Sequence, residues 1–320
     1  MSSLRTPCST TRLAPSPTGA LHLGNARTFL VNHLLAVQRG WRMLLRIEDL
    51  DGPRTKPGAA EQALEDLAWL GLTWDSEVVY QSARTGAYEA ALRRLIDAGE
   101  AYPCTCSRRD IELAGGAPHA DDHTRVYPGT CRDQWESPRQ AQRATGRPVA
   151  WRVRVPEEPI LVEDAFMGAR AIHLPAVCGD FVIYRNEGLA GYQLAVVVDD
   201  AAAGVDAIVR GDDLLDSAAR QMLLYRLLGL SPLPRYWHLP LVIGEDGRRL
   251  AKRHGDTRIS RYRQSGTPPE RMLGLLGCWC GLLDEPREAD MAELVRRFDL
   301  ARMPTRPVVF GRTDHLFLTG

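Results

Sequence analysis

One segment near the N-terminus constrains the fold more than any other. Arg12-Leu13-Ala14-Pro15-Ser16-Pro17-Thr18-Gly19-Ala20-Leu21-His22-Leu23-Gly24-Asn25 separates a short apolar run from a helical pattern. Residues 11–14 read as a strand, and the prolines with Thr18-Gly19 read as a tight loop. A helix is predicted over 24–39, with Ala26, Phe29, Leu30, Leu34 and Val37 on one face and Gly40 as its stop. Residues 43–47 then form an apolar strand of the kind buried in a parallel sheet. A strand–loop–helix–strand unit of this kind belongs to an open α/β sheet. Ligands there bind beyond the carboxyl ends of the strands, where a helix N-terminus offers N–H groups to anions.

Helices are predicted over 58–70 and 86–98, the second burying Tyr88, Ala91, Leu92, Leu95 and Ile96. The α/β pattern is then interrupted. Residues 103–185 carry a cysteine cluster, a loop rich in Gly, His and Asp, and short β-like runs such as 149–155, so they read as an insertion. The pattern resumes at 192–200, with a strand at 207–210, a helix near 214–228 and a strand near 238–243. Beyond 257 the chain reads as helical, with joints at Pro268-Pro269 and 304–307. The expected organisation is a first catalytic half (1–102), an insertion (103–185), a second half (186–256) and a small helical domain (257–320).

Composition bounds the function. In 320 residues, 40 Lys+Arg balance 40 Asp+Glu, so nucleic acid would be met by local basic patches rather than by net charge. With 44% hydrophobic and 25% charged residues, disordered and low-complexity classes are excluded. The first 11 residues contain no apolar stretch that could serve as an export signal. The longest apolar run, 272–283, would span about 18 Å as a helix against about 30 Å of bilayer core. A cytoplasmic monomer with no membrane association is expected. Seven cysteines, three of them clustered, then suggest a metal site plus buried thiols.

His22 is placed to donate to a phosphate oxygen, and Gly24 leaves room for a nucleotide. The whole string resembles the first motif of class I aminoacyl-tRNA synthetases of the glutamyl branch, Arg-x-Ala-Pro-Ser-Pro-Thr-Gly-x-Leu-His-x-Gly. It departs from that motif at Asn25, where the family usually has a second His. Arg249-Leu250-Ala251-Lys252-Arg253, after the turn Gly244-Glu245-Asp246-Gly247, matches the family's Lys-Met-Ser-Lys-Ser-like loop, with Arg249 for the first lysine and Ala251 for the usual Ser. The resemblance implies an α/β, Rossmann-type class I synthetase catalytic domain with a zinc-containing insertion and a small C-terminal helical domain. It also implies activation of L-glutamate by ATP with Mg²⁺.

By that resemblance His22, Gly24 and Lys252 are catalytic, and the same three with Asn25 contact the nucleotide. A cation at Lys252 would neutralise charge developing on the phosphates. Arg12, Ala14, Ser16, Glu48, Tyr192 and Arg210 would surround glutamate. Either arginine can hold a carboxylate bidentately, and Glu48 matches the family's partner for the substrate ammonium.

Cys104, Cys106 and Cys131 lie within 28 residues, and tetrahedral zinc needs a fourth ligand. On composition that ligand is His119, His123 or Tyr127, and imidazole is the chemically preferred choice. The family's Cys-x-Cys…Tyr-x-x-x-Cys arrangement implies Tyr127 and one structural zinc. Arg139, Arg143, Arg147, Arg152 and Arg154 occur in a stretch free of acids, and residues 248–263 hold seven Lys/Arg and one Asp. Both stretches suit a phosphate backbone.

The resemblance covers about residues 10–300, and the chain ends at Gly320, without the large helical region that reads the anticodon in full glutamyl-tRNA synthetases. It therefore points to the family's truncated branch, whose members glutamylate the queuosine base at the wobble position of tRNA(Asp). The anticodon stem-loop would then enter where a synthetase receives the acceptor end. Competing readings are a glutamyl-tRNA synthetase lacking its anticodon-binding domain, and a non-catalytic tRNA-binding paralogue suggested by Asn25 and Ala251.

Overall fold

Strands β1 (Thr10–Leu13), β2 (Arg42–Ile47) and β3 (Val79–Tyr80) pair in parallel in the computed structural model, which describes residues 9–50, 52–114, 126–250 and 256–320. The helix Leu23–Arg39 makes the crossover from β1 to β2 and ends at Gly40, whose left-handed backbone (φ 65°) returns its N–H to the carbonyls of Ala36 and Val37. Val37, expected on the buried face, is 49% exposed. The helix instead buries Ala26, Leu30, Val31, Leu34, Leu35 and Ala36, together with the polar Arg27, Asn32 and His33. It is covered by the sheet on one side and by later helices on the other, so no narrow amphipathic stripe describes it. Asn32 Nδ2 donates to the carbonyl of Arg12 (3.0 Å) and Thr11 Oγ1 donates to Asn32 Oδ1 (2.9 Å), fixing the end of β1 against the helix.

The insertion is built differently. β4 (Ala101–Cys104) pairs antiparallel with β5 (Ala150–Val153). A small hairpin follows, β6 (Ile160–Val162) with β7 (Arg170–Ile172), and β8 (Val182–Tyr184) then closes antiparallel on β5. After the helix Tyr192–Ala202, β9 (Ala207–Gly211) runs beside β1, joined by Asp206 N–H to the Thr10 carbonyl (3.1 Å), and it pairs in parallel with β10 (Arg235–Leu239). The spatial order is therefore β3-β2-β1-β9-β10. The chain switches direction between β1 and β9, the crevice at which open α/β sheets bind ligands.

The single strand expected near 238–243 is two strands, because Pro240 breaks the ladder between β10 and β11 (Val242–Gly244). β11 pairs in parallel with β12 (Val308–Phe310), which lies in the stretch expected to be helical throughout. The helices there are Ile259–Gln264, Pro269–Trp279, Met291–Arg297 and Arg312–Thr319. One apolar cluster unites Leu30 and Leu34 of the first helix with Leu67, Leu275, Leu294 and Leu318. A second unites Val153, Ile172 and Ile183 of the insertion with Leu194, Ile208 and Leu224. Among the described residues, no helix is long and apolar enough to cross a membrane.

Candidate active site and cysteine cluster

A cleft of about 510 Å³ opens at the β1–β9 switch, and Arg12, Ala14, Ser16, His22, Gly24, Asn25, Glu48, Tyr192 and Arg210 all line it. Lys252 and Ala251 lie outside the described residues. Their flanks do not: Arg249 lines the cleft and donates to Asp213 Oδ2 (2.5 Å). Leu250 N–H donates to the Val242 carbonyl (3.2 Å), while beyond the loop Ile259 N–H reaches the Leu21 carbonyl (2.9 Å) and Leu23 N–H the Thr257 carbonyl (3.2 Å). Both ends of the second motif are thus tied to the first.

His22 is the N-cap of the first helix. Its Nδ1 accepts from Gly24 N–H (3.1 Å), and its own N–H donates to Asn25 Oδ1 (3.2 Å), a reciprocal cap. With Nδ1 accepting, the ring proton sits on Nε2, which is the donor left for a phosphate oxygen. Burial, reinforced by Arg249, lowers the His22 pKa to about 4, so the imidazole is neutral near neutral pH. Gly24 N–H serves the cap, and a Cβ at Gly24 would stand 3.0 Å from His22 Cε1, so this glycine makes room for the imidazole as well as lining the cleft. Asn25, which also lines the cleft, is the reciprocal capping residue.

Arg12 and Glu48 belong to a buried network whose other members, Arg46 and Asp200, sequence reasoning missed. Arg12 Nε lies 3.2 Å from Asp200 Oδ1, Arg46 also bonds Asp200, and Arg46 Nη2 donates to Glu48 Oε1 (3.0 Å). Burial alone would raise the Asp200 carboxyl, but Arg46 and Arg12 hold it below the ordinary range. At Glu48 burial outweighs both arginines and raises the pKa, so a bound ammonium would favour its ionised form. The available signal was the pair Asp199-Asp200 closing an otherwise apolar run of five residues from Leu194. Arg210 donates through Nε to His238 Nε2 (2.9 Å), through Nη1 to Gln221 Oε1 (2.8 Å) and through Nη2 to the Leu214 carbonyl (3.1 Å). Each Nη carries two hydrogens, so one on each remains for a carboxylate in the cleft. Tyr192, 40% exposed, stands at the first turn of its helix.

The structure gathers Cys104, Cys106, Cys131 and Tyr127; His119 and His123 lie outside the described residues. The three sulfurs fall within 4.8 Å of one another. Cys106 Sγ is 3.4 Å from Cys131 Sγ, and the Tyr127 hydroxyl is 3.5 Å from Cys104 Sγ and 3.8 Å from Cys106 Sγ. A tetrahedral ion with metal–sulfur bonds of about 2.3 Å has ligand–ligand edges of about 3.5–3.8 Å, so the donor set fits one. Cys131 N–H donates to the Tyr127 oxygen (2.8 Å). Arg152 lies 3.7 Å over the Tyr127 ring and donates to Cys104 Sγ (3.2 Å), opposing the negative charge such a donor set collects. Gly179 (φ +63°) is required beside it, since a Cβ there would stand 2.4 Å from the Tyr127 carbonyl oxygen.

The chain matches the family model described as tRNA synthetases class I (E and Q), catalytic domain, over residues 9–314. It is 47% identical over 306 residues to the glutamyl-Q tRNA(Asp) synthetase of Symbiobacterium thermophilum, covering 93% of this chain and 94% of that protein. The chain belongs to the glutamyl-Q tRNA(Asp) synthetase branch of the class I family. A second member of the branch, from Rhodopirellula baltica, is 45% identical, with 94% of this chain and 97% of the relative covered. Glutamyl-Q synthetase membership sits beside a more distant structural likeness. The glutamate-tRNA synthetase of Elizabethkingia anophelis superposes with a TM-score of 0.81 at 26% identity, covering 97% of this chain and 70% of that one. A glutamate tRNA ligase from Elizabethkingia meningosepticum, in complex with its amino acid, gives 0.80 at 26%, covering 97% and 68%.

Proposed function

We propose that this chain activates L-glutamate with ATP, taken as its magnesium complex, to glutamyl-adenylate and pyrophosphate, and passes the glutamyl group to the queuosine base at the wobble position of tRNA(Asp). The observation that carries the reading is the 47% identity to a glutamyl-Q tRNA(Asp) synthetase across 93% of the chain. The likeness to glutamate-tRNA synthetases stands at 26%, which favours the modification enzyme over a tRNA(Glu)-charging one.

In the first step a glutamate α-carboxylate oxygen attacks the α-phosphorus, the bond to the bridging oxygen breaks, and pyrophosphate leaves. His22 Nε2–H donates to a phosphate oxygen, and Lys252 supplies a cation toward the leaving group. Arg12 and Arg210 hold the side-chain carboxylate, Glu48 the ammonium, and Ala14, Ser16 and Tyr192 wall the amino acid. In the second step a hydroxyl of the queuosine cyclopentene ring attacks the acyl carbon and AMP departs. No protein nucleophile is needed, because positioning and charge neutralisation lower both barriers. Cys104, Cys106, Cys131 and Tyr127 hold one structural zinc that staples the insertion, beside which the anticodon stem-loop enters. The same reading has the chain act in the cytoplasm as a monomer.

The test is incorporation of labelled glutamate, with ATP, into tRNA from cells that make queuosine and cells that do not. Label confined to tRNA(Asp) of the queuosine-containing pool is expected. Label on tRNA(Glu) in both pools would instead mark an aminoacyl-tRNA synthetase. Absence of both label and ATP–pyrophosphate exchange would mark a binding paralogue.

A further inference from the structure

We infer that Asp164, which reaches from the insertion's β6–β7 hairpin into the catalytic half, sets the tautomer of His238 and through it aims Arg210 at the glutamate carboxylate. Asp164 and His238 are then positioning residues for the amino acid. The inference rests on the proposed role of Arg210.

The side chains of both residues are inaccessible to solvent. Asp164 Oδ1 accepts the backbone N–H groups of Phe166 (2.8 Å) and Met167 (2.6 Å). Its Oδ2 accepts His238 N–H (3.1 Å) and lies 2.5 Å from His238 Nδ1. Burial alone would raise this carboxyl, yet the bonds from His238 and the two amides hold it below the ordinary range, so it is ionised and can only accept. The His238 proton therefore sits on Nδ1. Nε2 is left as an acceptor, and Arg210 Nε–H donates to it at 2.9 Å. Burial lowers the His238 pKa, which keeps the ring neutral and that acceptor open.

The chain of bonds has one direction, from Arg210 through His238 to Asp164. Tyr236 backs it: its ring stacks on His238 at 14°, and the Arg210 guanidinium lies 5.0 Å from the centre of the same ring. Gln221, held in turn by Gln193 (3.0 Å), fixes Nη1, and Arg210 lines the cleft. The hairpin carrying Asp164 is stitched to β10 by Ala165 N–H to the Tyr236 carbonyl (2.7 Å). Insertion and amino-acid pocket are thus mechanically joined at one carboxylate.

Glutamate-dependent ATP–pyrophosphate exchange, run with queuosine-containing tRNA present, tests this. His238→Leu removes the acceptor and raises the glutamate KM by about 10- to 100-fold, the range for a buried donor left unpaired. The ATP KM stays within about twofold. His238→Gln, whose amide oxygen can take the place of Nε2, recovers most of the glutamate affinity. Asp164→Asn shows the same defect, and the double variant with His238→Leu is no worse than either alone. Additive effects, equal defects in the Leu and Gln variants, or a parallel rise in the ATP KM would overturn the assignment. Nitrogen NMR of the unmutated chain gives a readout independent of activity: the Nδ1–H tautomer of His238 supports the relay, and Nε2–H or imidazolium refutes it. If the unmutated enzyme shows no glutamate-dependent exchange, the proposed function falls, and the tautomer still decides the relay.

Discussion

His22 caps the first helix through Nδ1, which commits Nε2 to donation and so leaves it the donor for the phosphate contact proposed above. With a folded pKa of about 4 against 6.5, the unfolded chain takes up a proton in that interval and the folded chain does not. The contribution of His22 to stability is therefore complete above pH 6.5 and is lost as pH falls toward 4. His22→Asn caps without titrating, so its melting temperature should fall less between those pH values than that of the unmutated chain; parallel curves would show that His22 does not titrate this way. The motif made His22 legible, but the role of Asn25 was not, because a cap depends on which backbone N–H the side chain meets. Asp200 was hidden for a related reason: its partner Arg12 lies 188 residues away.

At the scale of elements, the cysteine site joins the end of β4 to the 127–131 turn. Its own apolar cluster is small, with Tyr102, Cys104, Tyr127 and Cys131 as the buried members. The zinc proposed above would hold such a segment in shape. Metal analysis of freshly prepared protein should find one zinc per chain. Cys106→Ser should lose it and destabilise the fold by roughly 4 kcal/mol, in the class of metal-loss effects, while Cys278→Ser retains it. Protein without zinc, or a Cys106→Ser variant that melts unchanged, would dismiss the site. The cysteine spacing was readable from the chain. Composition favours imidazole over Tyr127; what supports Tyr127 is its place beside the three sulfurs, with the Cys131 N–H on its phenol oxygen, while His119 and His123 lie outside the described residues.

Across the whole molecule, the fold sorts charges that look alike in sequence. Of the five arginines in the basic stretch, Arg152 is spent on the cysteine cluster, Arg154 pairs with Asp133 (2.7 Å) and Arg147 with Asp110 (2.6 Å). Arg139 and Arg143 are exposed one turn apart on the helix Pro138–Thr145 and make no ion pair among the described residues. Replacing both with alanine should weaken tRNA binding and flatten the slope of log affinity against log salt by about 1.5 to 2. An unchanged slope would remove them from the RNA path. Residues 257–320, read as a separate helical unit, share an apolar core with the first helix and add β12 beside β11.

The amino-acid sequence by itself determined the strand–loop–helix unit, most helix positions, the cysteine spacing and the family motifs, because each is written in neighbouring residues through periodicity, turn chemistry and short spacing. Tertiary structure alone decided which charges are neutralised. It also decided which glycine admits an imidazole, and that a hairpin of the insertion steadies Arg210 through a contact spanning 74 residues. Those outcomes turn on partners brought together only when the sheet closes, since a buried carboxylate takes its properties from whichever cation or N–H packing delivers to it.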